Sequence, residues 1–190
     1  GVRLAGSETC IRDRARIEKE NRRASRQEQE VLAKYVGWGG IPQAFDSNNS
    51  VWASEYAELK AALTETEYES ARASTLNAHY TSPIVIKAVY QAIENLGFQR
   101  GNILEPSCGV GNFFGLLPDN MADSKRYGVE LDAITGRIAR QLYQNSRIAV
   151  TGYEKAEIPD SFFDAAVGNV PFGNIKVVDR RYDKHHWLIH

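Results

Sequence analysis

The sequence is poor in the residues that build metal centres and covalent cross-links. Only two cysteines, Cys10 and Cys108, occur in 190 residues, and their separation fits no metal-ligand spacing. Three of the four histidines fall in the last six positions and form no recognisable ligand set. No metal site is therefore expected, and the chain reads as one held in a reduced, cytosolic compartment. No apolar run approaches the roughly 20 residues of a membrane span, and no signal peptide is visible, so no membrane partner is expected. Net charge is almost missing as well, at −1, which excludes a molecule that attracts polyanions over its whole surface.

What is present suffices for one ordinary globular core, with 43% hydrophobic and 25% charged residues. The charge is uneven. Arg12, Arg14, Arg16, Lys19, Arg22, Arg23 and Arg26 crowd one stretch, whereas Glu55, Glu58, Glu65, Glu67 and Glu69 face only Lys60 and Arg72 in residues 52–79. A basic helix could neutralise phosphates, but a solvated helix laced by opposite charges, such as Glu18 with Arg22, is the simpler reading.

Residues 8–34 read as one charged helix with too few apolar positions for a core of its own. Gly37, Gly39 and Gly40 around Trp38 break it, as a loop and its hydrophobic plug more readily than as a base-stacking platform. Short helices follow near 52–63 and 65–74, the second capped by Thr64. Ser82 as N-cap and Pro83 at the first helical position open a helix to about Leu96, with Ile84, Val85, Ala88, Val89 and Ala92 as its apolar face and Gly97 as its stop. Strands near 102–105, 125–130, 147–151 and 162–168 alternate with helices near 111–117 and 132–144. That alternation predicts an α/β fold, a parallel sheet with helices on its faces. A central first strand would bring the loops at Glu105, Glu130 and Asn169 to the carboxyl edge, at the switch point where open sheets bind ligands.

Those three loops carry the chemistry. Ile103-Leu104 leads into Glu105-Pro106-Ser107-Cys108-Gly109-Val110-Gly111-Asn112, the strand, glycine turn, helix order of a nucleotide-binding unit. A pyrophosphate would be repelled by a carboxylate at this turn, whereas S-adenosylmethionine carries no phosphate and brings a sulfonium and an ammonium, so Glu105 favours the latter. Glu130 follows Gly111 by 19 residues, about where an acid at the tip of the second strand meets ribose hydroxyls. Asn169-Val170-Pro171-Phe172 closes another strand. Each signal is weak alone, but their order and spacing point to methyl transfer onto an amino group.

With Tyr35-Val36-Gly37-Trp38-Gly39-Gly40-Ile41-Pro42, Asn77-Ala78-His79-Tyr80-Thr81-Ser82-Pro83, the Glu105 loop, Tyr127-Gly128-Val129-Glu130-Leu131-Asp132 and Gly168-Asn169-Val170-Pro171-Phe172-Gly173, the chain resembles the adenine-N6-specific DNA methyltransferases. More narrowly, it resembles the methylase region of large helicase-methylase proteins of conjugative bacterial elements. The resemblance implies a Rossmann-like class I methyltransferase sheet and S-adenosylmethionine as cofactor. Tyr80, Thr81 and Pro83 match the segment over the methionine end, and Glu105, Pro106, Gly109, Gly111 and Asn112 the loop beneath it. Glu130 matches the ribose-binding acid, with Leu131 beside it, and Gly152 and Tyr153 follow the third strand. Asn169, Val170, Pro171 and Phe172 match the catalytic tetrapeptide, usually Asn-Pro-Pro-Tyr or Asn-Pro-Pro-Phe. Val170 departs from it, although that position contributes its main-chain carbonyl and loses only stiffness with the proline. Thr151-Gly152-Tyr153-Glu154 also departs, since the family often shows an acid directly after the third strand.

The resemblance implies seven strands where four are visible. The expectation is a helical extension over 1–76 and a methyltransferase domain over 77–190, truncated at its C-terminus within a larger polypeptide; Gly1 in place of Met separately hints at a cut chain or a tag remnant. DNA and the remainder of a helicase-methylase are the implied partners, in a bacterial cytoplasm. Two alternatives stay open: a methyltransferase acting on an RNA base or a protein glutamine amide, and a non-catalytic cofactor- or DNA-binding fragment. Cytosine-C5 chemistry fits less well, because it needs a nucleophilic cysteine in a Pro-Cys loop and Cys108 lies within the glycine turn.

Overall fold

A computed structural model describes residues 5–38, 41–75 and 81–170, with side chains from Thr9 onward. The chain opens with α1 (Ala5–Lys19) and α2 (Arg26–Leu32) rather than one helix over 8–34. The break has two local causes. Asn21 takes a left-handed φ of 50°, and Ser25 caps α2 in a reciprocal box with Glu28, so that both N-terminal donors are satisfied. Helices α3 (Ala53–Ala62) and α4 (Glu65–Ser74) follow, the latter opened by a Thr64–Glu67 capping box. Next is α5 (Pro83–Asn95), with Ser82 as its N-cap and Pro83 at its start.

The apolar face of α5 is not the expected one. Ile86 and Tyr90 are buried with Val89 and Ile93 beside them, while Ile84 and Val85 are exposed. Both stripes have helical spacing, and the one that includes the large Tyr90 ring meets the sheet.

The sheet comprises β1 (Asn102–Glu105), β2 (Lys125–Glu130), β3 (Arg147–Val150) and β4 (Ala165–Ala166). All pairs are parallel, in the order β3-β2-β1-β4. This is the Rossmann-like order around a central β1, with the switch point between β1 and β4. Helix α6 (Asn112–Gly115) follows β1, and α7 (Ala133–Leu142) joins β2 to β3. Strand β4 is far shorter than 162–168: Phe162 and Phe163 leave the ladder and stack edge-on against Tyr127.

Helices on both faces were expected, but α5, α6 and α7 share one. Register puts Ile103, Glu105, Gly128 and Ile148 on that face, where Ile103 packs with Ile86, Tyr90 and Phe113, and Ile148 with Phe114 and Ala139. The other face, with Leu104, Tyr127 and Val129, meets the loop carrying Phe162 and Phe163 and leaves an open hollow of about 710 Å³.

The N-terminal helices do not float beside this unit. Cys10, Ile17, Leu32, Trp38, Phe45 and Tyr68 form one buried cluster with Val110, Ile134 and Ile138 of the α/β part. Trp38 is fully buried with Tyr35 and Phe45 edge-on to it, which makes it a plug and not a stacking platform. The basic stretch is likewise only partly a solvated face, because Arg14 is 1% exposed. It donates to Glu18 at 3.0 Å and Glu67 at 2.8 Å, and Arg137 of α7 reaches the same two acids. Glu18 thus pairs with Arg14 and Arg137, while Arg22 pairs with Glu20 and Glu28.

Candidate functional site

The tips of β1, β2 and β3 and the end of β4 converge at the carboxyl edge. Glu105, the last residue of β1, is 3% exposed. Its Oε2 has no hydrogen-bond partner among the described residues. Burial, and then the nearby Glu130, push its carboxyl up to about 9. A buried acid left with an orphan oxygen is costly unless something completes it, and such groups gather at functional sites.

The loop after Glu105 is shaped by glycine. Gly109 and Gly111 take φ of 54° and 88°, the left-handed region that other residues avoid. Gly111 donates to the Cys108 carbonyl at 2.7 Å, closing the turn, and a Cβ there would lie 2.5 Å from the Tyr143 ring. Gly128 in the middle of β2 makes room for this loop, since a Cβ would lie 2.8 Å from Cys108 Sγ. Cys108 is buried, and burial followed by Glu105 and Glu130 raises its thiol well above the ordinary range.

Glu130 ends β2 as expected, but its carboxylate turns inward. One oxygen accepts from the Gly109 N–H at 2.7 Å and the other from the Asp132 N–H at 2.8 Å. It therefore fastens the glycine loop to the tip of β2. Burial raises its carboxyl, opposed by the Asp132 and Gly109 N–H bonds. Leu131 beside it is 74% exposed, and the Thr151 N–H donates to the Glu130 carbonyl at 2.9 Å, tying β3 to the same tip. Gly152 is buried and Tyr153 is 45% exposed. The Glu154 carboxylate folds back over Gly152, which brings an acid toward the end of β3 although it stands four residues after Val150.

Beyond β4 the chain comes back to Glu105. The Val167 N–H donates to the Leu104 carbonyl at 2.9 Å, and a Cβ on Gly168 would lie 3.6 Å from Glu105 Cγ and 3.4 Å from Pro106 Cδ. Asn169 and Val170 emerge directly after this contact and are exposed. Pro106 and Asn112 are half-buried along the loop, Thr81 is half-buried and Pro83 exposed at the start of α5. Helix α5 is held over α6 by Tyr90, whose hydroxyl donates to the Phe113 carbonyl at 2.8 Å. Tyr80, Pro171 and Phe172 lie outside the described residues.

Sequence reasoning quoted Gly128 and Asp132 within a motif without giving either a role, and it missed Tyr143. A glycine inside an apolar strand signals close backbone approach, and Asp132 three residues before Thr135 is an N-cap signal; its Oδ1 accepts from the Thr135 N–H at 2.7 Å. Among the described residues no group of three or more His, Cys, Asp or Glu side chains could hold a metal, and no helix is long and apolar enough to cross a membrane.

No family model matches the chain. It is 29% identical over 113 residues to the Defense against restriction protein B of Escherichia phage P1, covering 57% of this chain and 5% of the phage protein. It is 36% identical over 80 residues to the Type II methyltransferase M.CvrRI of Paramecium bursaria Chlorella virus XZ-6E, covering 42% of this chain and 21% of that enzyme. The chain thus spans a small part of either relative. Among solved structures, a protein from Listeria monocytogenes assigned as a class I S-adenosylmethionine-dependent methyltransferase is 14% identical, with a TM-score of 0.42, over 75% of this chain and 52% of that one.

Proposed function

We propose that the chain carries the cofactor and catalytic loops of an S-adenosylmethionine-dependent methyltransferase acting on the exocyclic amine of adenine in DNA. The observation that supports this reading is the close approach of Gly168, where a Cβ would meet Glu105 and Pro106, so that the exposed Asn169 follows in the chain directly after a buried acid whose Oε2 has no partner among the described residues. The residues fit the cofactor. An orphan carboxyl next to a second acid suits a cation and repels a phosphate, and the left-handed glycines leave the loop without side chains where a ligand would approach. The similarity to a type II methyltransferase and to a protein named for defence against restriction supports DNA as the acceptor.

S-adenosylmethionine supplies an electrophilic methyl group on a sulfonium. Glu105 would offer its carboxyl to the positive charge, and the loop from Pro106 to Asn112, with Thr81 and Pro83, would hold the methionine end, a role that the resemblance also gives to Tyr80. Leu131 would lie on the ribose side, and Gly152 and Tyr153 on the adenine side. Glu130 acts chiefly by holding the loop. The aromatic amine of adenine is a poor nucleophile because its lone pair is delocalised. The Asn169 side-chain oxygen and the Val170 carbonyl would accept hydrogen bonds from its two N–H groups, orient the lone pair and stabilise charge as it grows on nitrogen, so that transfer leaves neutral S-adenosylhomocysteine and a methylated amine that gives one proton to water. The resemblance gives Phe172 the role of stacking on a base rotated out of the duplex, since the amine is out of reach while the base is paired.

Asn169→Ala is expected to abolish methyl transfer while leaving cofactor affinity nearly intact. The check is labelled-methyl transfer to duplex DNA, RNA and a glutamine peptide by the full-length parent, with calorimetry alongside. Equal loss of both properties would overturn the role of Asn169, and methylation of RNA or peptide alone would overturn the choice of acceptor.

A further inference from the structure

We infer that Ser70, on α4 of the N-terminal helices, is a positioning residue for the cofactor loop, acting through Asp132, Glu130 and Gly109. The inference rests on the reading of the carboxyl edge as the S-adenosylmethionine site. The Ser70 hydroxyl donates to Asp132 Oδ2 at 3.3 Å and accepts from the Ala133 N–H at 3.3 Å. Ala133 begins α7, so Ser70 satisfies one of the donors that a helix start leaves open. The other Asp132 oxygen caps the same helix through Thr135. The Asp132 backbone N–H is then fixed where Glu130 accepts it, and the second Glu130 oxygen holds the Gly109 N–H. Four residues from two parts of the sequence thus form one unbroken line from α4 to the glycine turn.

Other side-chain bonds between the N-terminal helices and the α7 region, among the described residues, lie farther along the helix. Gln141 and Gln144 bind Ala24 and Gln29 near the far end of α7, and Arg137 binds Glu18 and Glu67 midway along it. The bonds of Ser70 reach the β2–α7 turn itself. A second, independent contact supports the same coupling: Val110, between the two left-handed glycines, is buried in the cluster built by the N-terminal helices. The helical region is therefore a support for the loop that would meet the cofactor, through Ser70 of α4 at the β2–α7 turn and through the cluster around Val110.

The test compares the unaltered chain with Ser70→Ala, Ser70→Thr and Thr64→Ala, reading S-adenosylmethionine affinity by calorimetry and amide exchange at Gly109 and Asp132 without ligand. Ser70→Ala is expected to weaken binding roughly three- to tenfold, the scale of mutations along a coupled network, and to speed exchange at Gly109. Ser70→Thr, which keeps the hydroxyl, restores both. Thr64→Ala removes a cap from the same helix and is expected to lower the thermal midpoint without changing affinity. Unchanged Gly109 exchange in Ser70→Ala, or equal loss of affinity in Thr64→Ala, would overturn the inference. If the unaltered chain bound no cofactor, the reading of the site would fail, and Gly109 exchange would still decide whether Ser70 holds the loop.

Discussion

Glu67 and Glu105 are both buried carboxyls, at 9% and 3% exposure, and the fold treats them in opposite ways. One Glu67 oxygen accepts from Arg14 and Arg137, and the other from the backbone and hydroxyl of Thr64. Burial would raise its carboxyl, but the Thr64 N–H and the Arg14 guanidinium outweigh that and hold it below the ordinary range. Glu105 has an orphan oxygen and another acid for a neighbour, and it is raised. Burial is common to both. Their partners differ, and the difference separates a carboxylate that the fold has paired from a carboxyl that it leaves without a cation.

The comparison breaks most visibly on the completed side. Arg14→Ala would leave Glu67 and Glu18 to share Arg137, and losing one partner of a buried ion pair costs about 3–5 kcal/mol. Denaturant unfolding should show that loss, with cofactor affinity kept in the fraction that remains folded. A loss below about 1 kcal/mol, the scale of a surface pair, would mean that the cluster is surface decoration and that the contrast with Glu105 is empty.

On the other side, Glu105→Gln keeps the shape and removes the charge. Hydrogen bonds to charged groups contribute about 1.5–3 kcal/mol, so cofactor binding should weaken by up to on the order of 100-fold while stability holds or rises. Its pH dependence has a defined sign. Between the ordinary value of 4.5 and about 9, folded Glu105 keeps a proton that the unfolded chain has lost. Stability from this group is therefore complete below 4.5 and declines as pH rises through about 9, a slope that Glu105→Gln removes. A cationic ligand has to displace that proton, so affinity should rise by roughly tenfold per pH unit below the raised value, until the ligand's own ammonium titrates. Affinity independent of pH in the unaltered chain would sink the role of Glu105.

How much of this was legible in the sequence follows from the range of each interaction. Strands β1 to β3, the caps at Thr64 and Ser82 and the glycine turn are local patterns, and all stand where periodicity and turn chemistry put them. The break after α1 was also readable, since Ser25 and Glu28 spell a capping box. The buried face of α5 was not decided by spacing, because two stripes satisfy it and only the sheet selects Tyr90. Arg14 meets Glu67 across 53 residues and Arg137 meets it across 70. No local rule pairs those charges, so the basic stretch read as a solvated face. Glu130 took the predicted position with a different posture, because Gly109 and Asp132 offer it two N–H groups that sequence alone does not place.

The smallest expected effect concerns a third titratable group beside Glu105. Cys108 is 3% exposed, and its thiol is raised by burial and then by Glu105 and Glu130. A thiol in that setting stays protonated at neutral pH, and only the thiolate is a nucleophile. Its visible role is volume: its sulfur fills the space that Gly128 leaves. Cys108→Ala should therefore cost about 1 kcal/mol of stability or less, the scale of a small buried truncation, and leave cofactor affinity and methyl transfer within roughly twofold, a few tenths of a kcal/mol. Alkylation of the native chain at neutral pH should likewise be slow at Cys108. Rapid labelling, or loss of transfer in Cys108→Ala, would turn the acidic pocket from a cation site into the surroundings of a covalent catalyst and would reverse the lesson drawn from its contrast with Glu67.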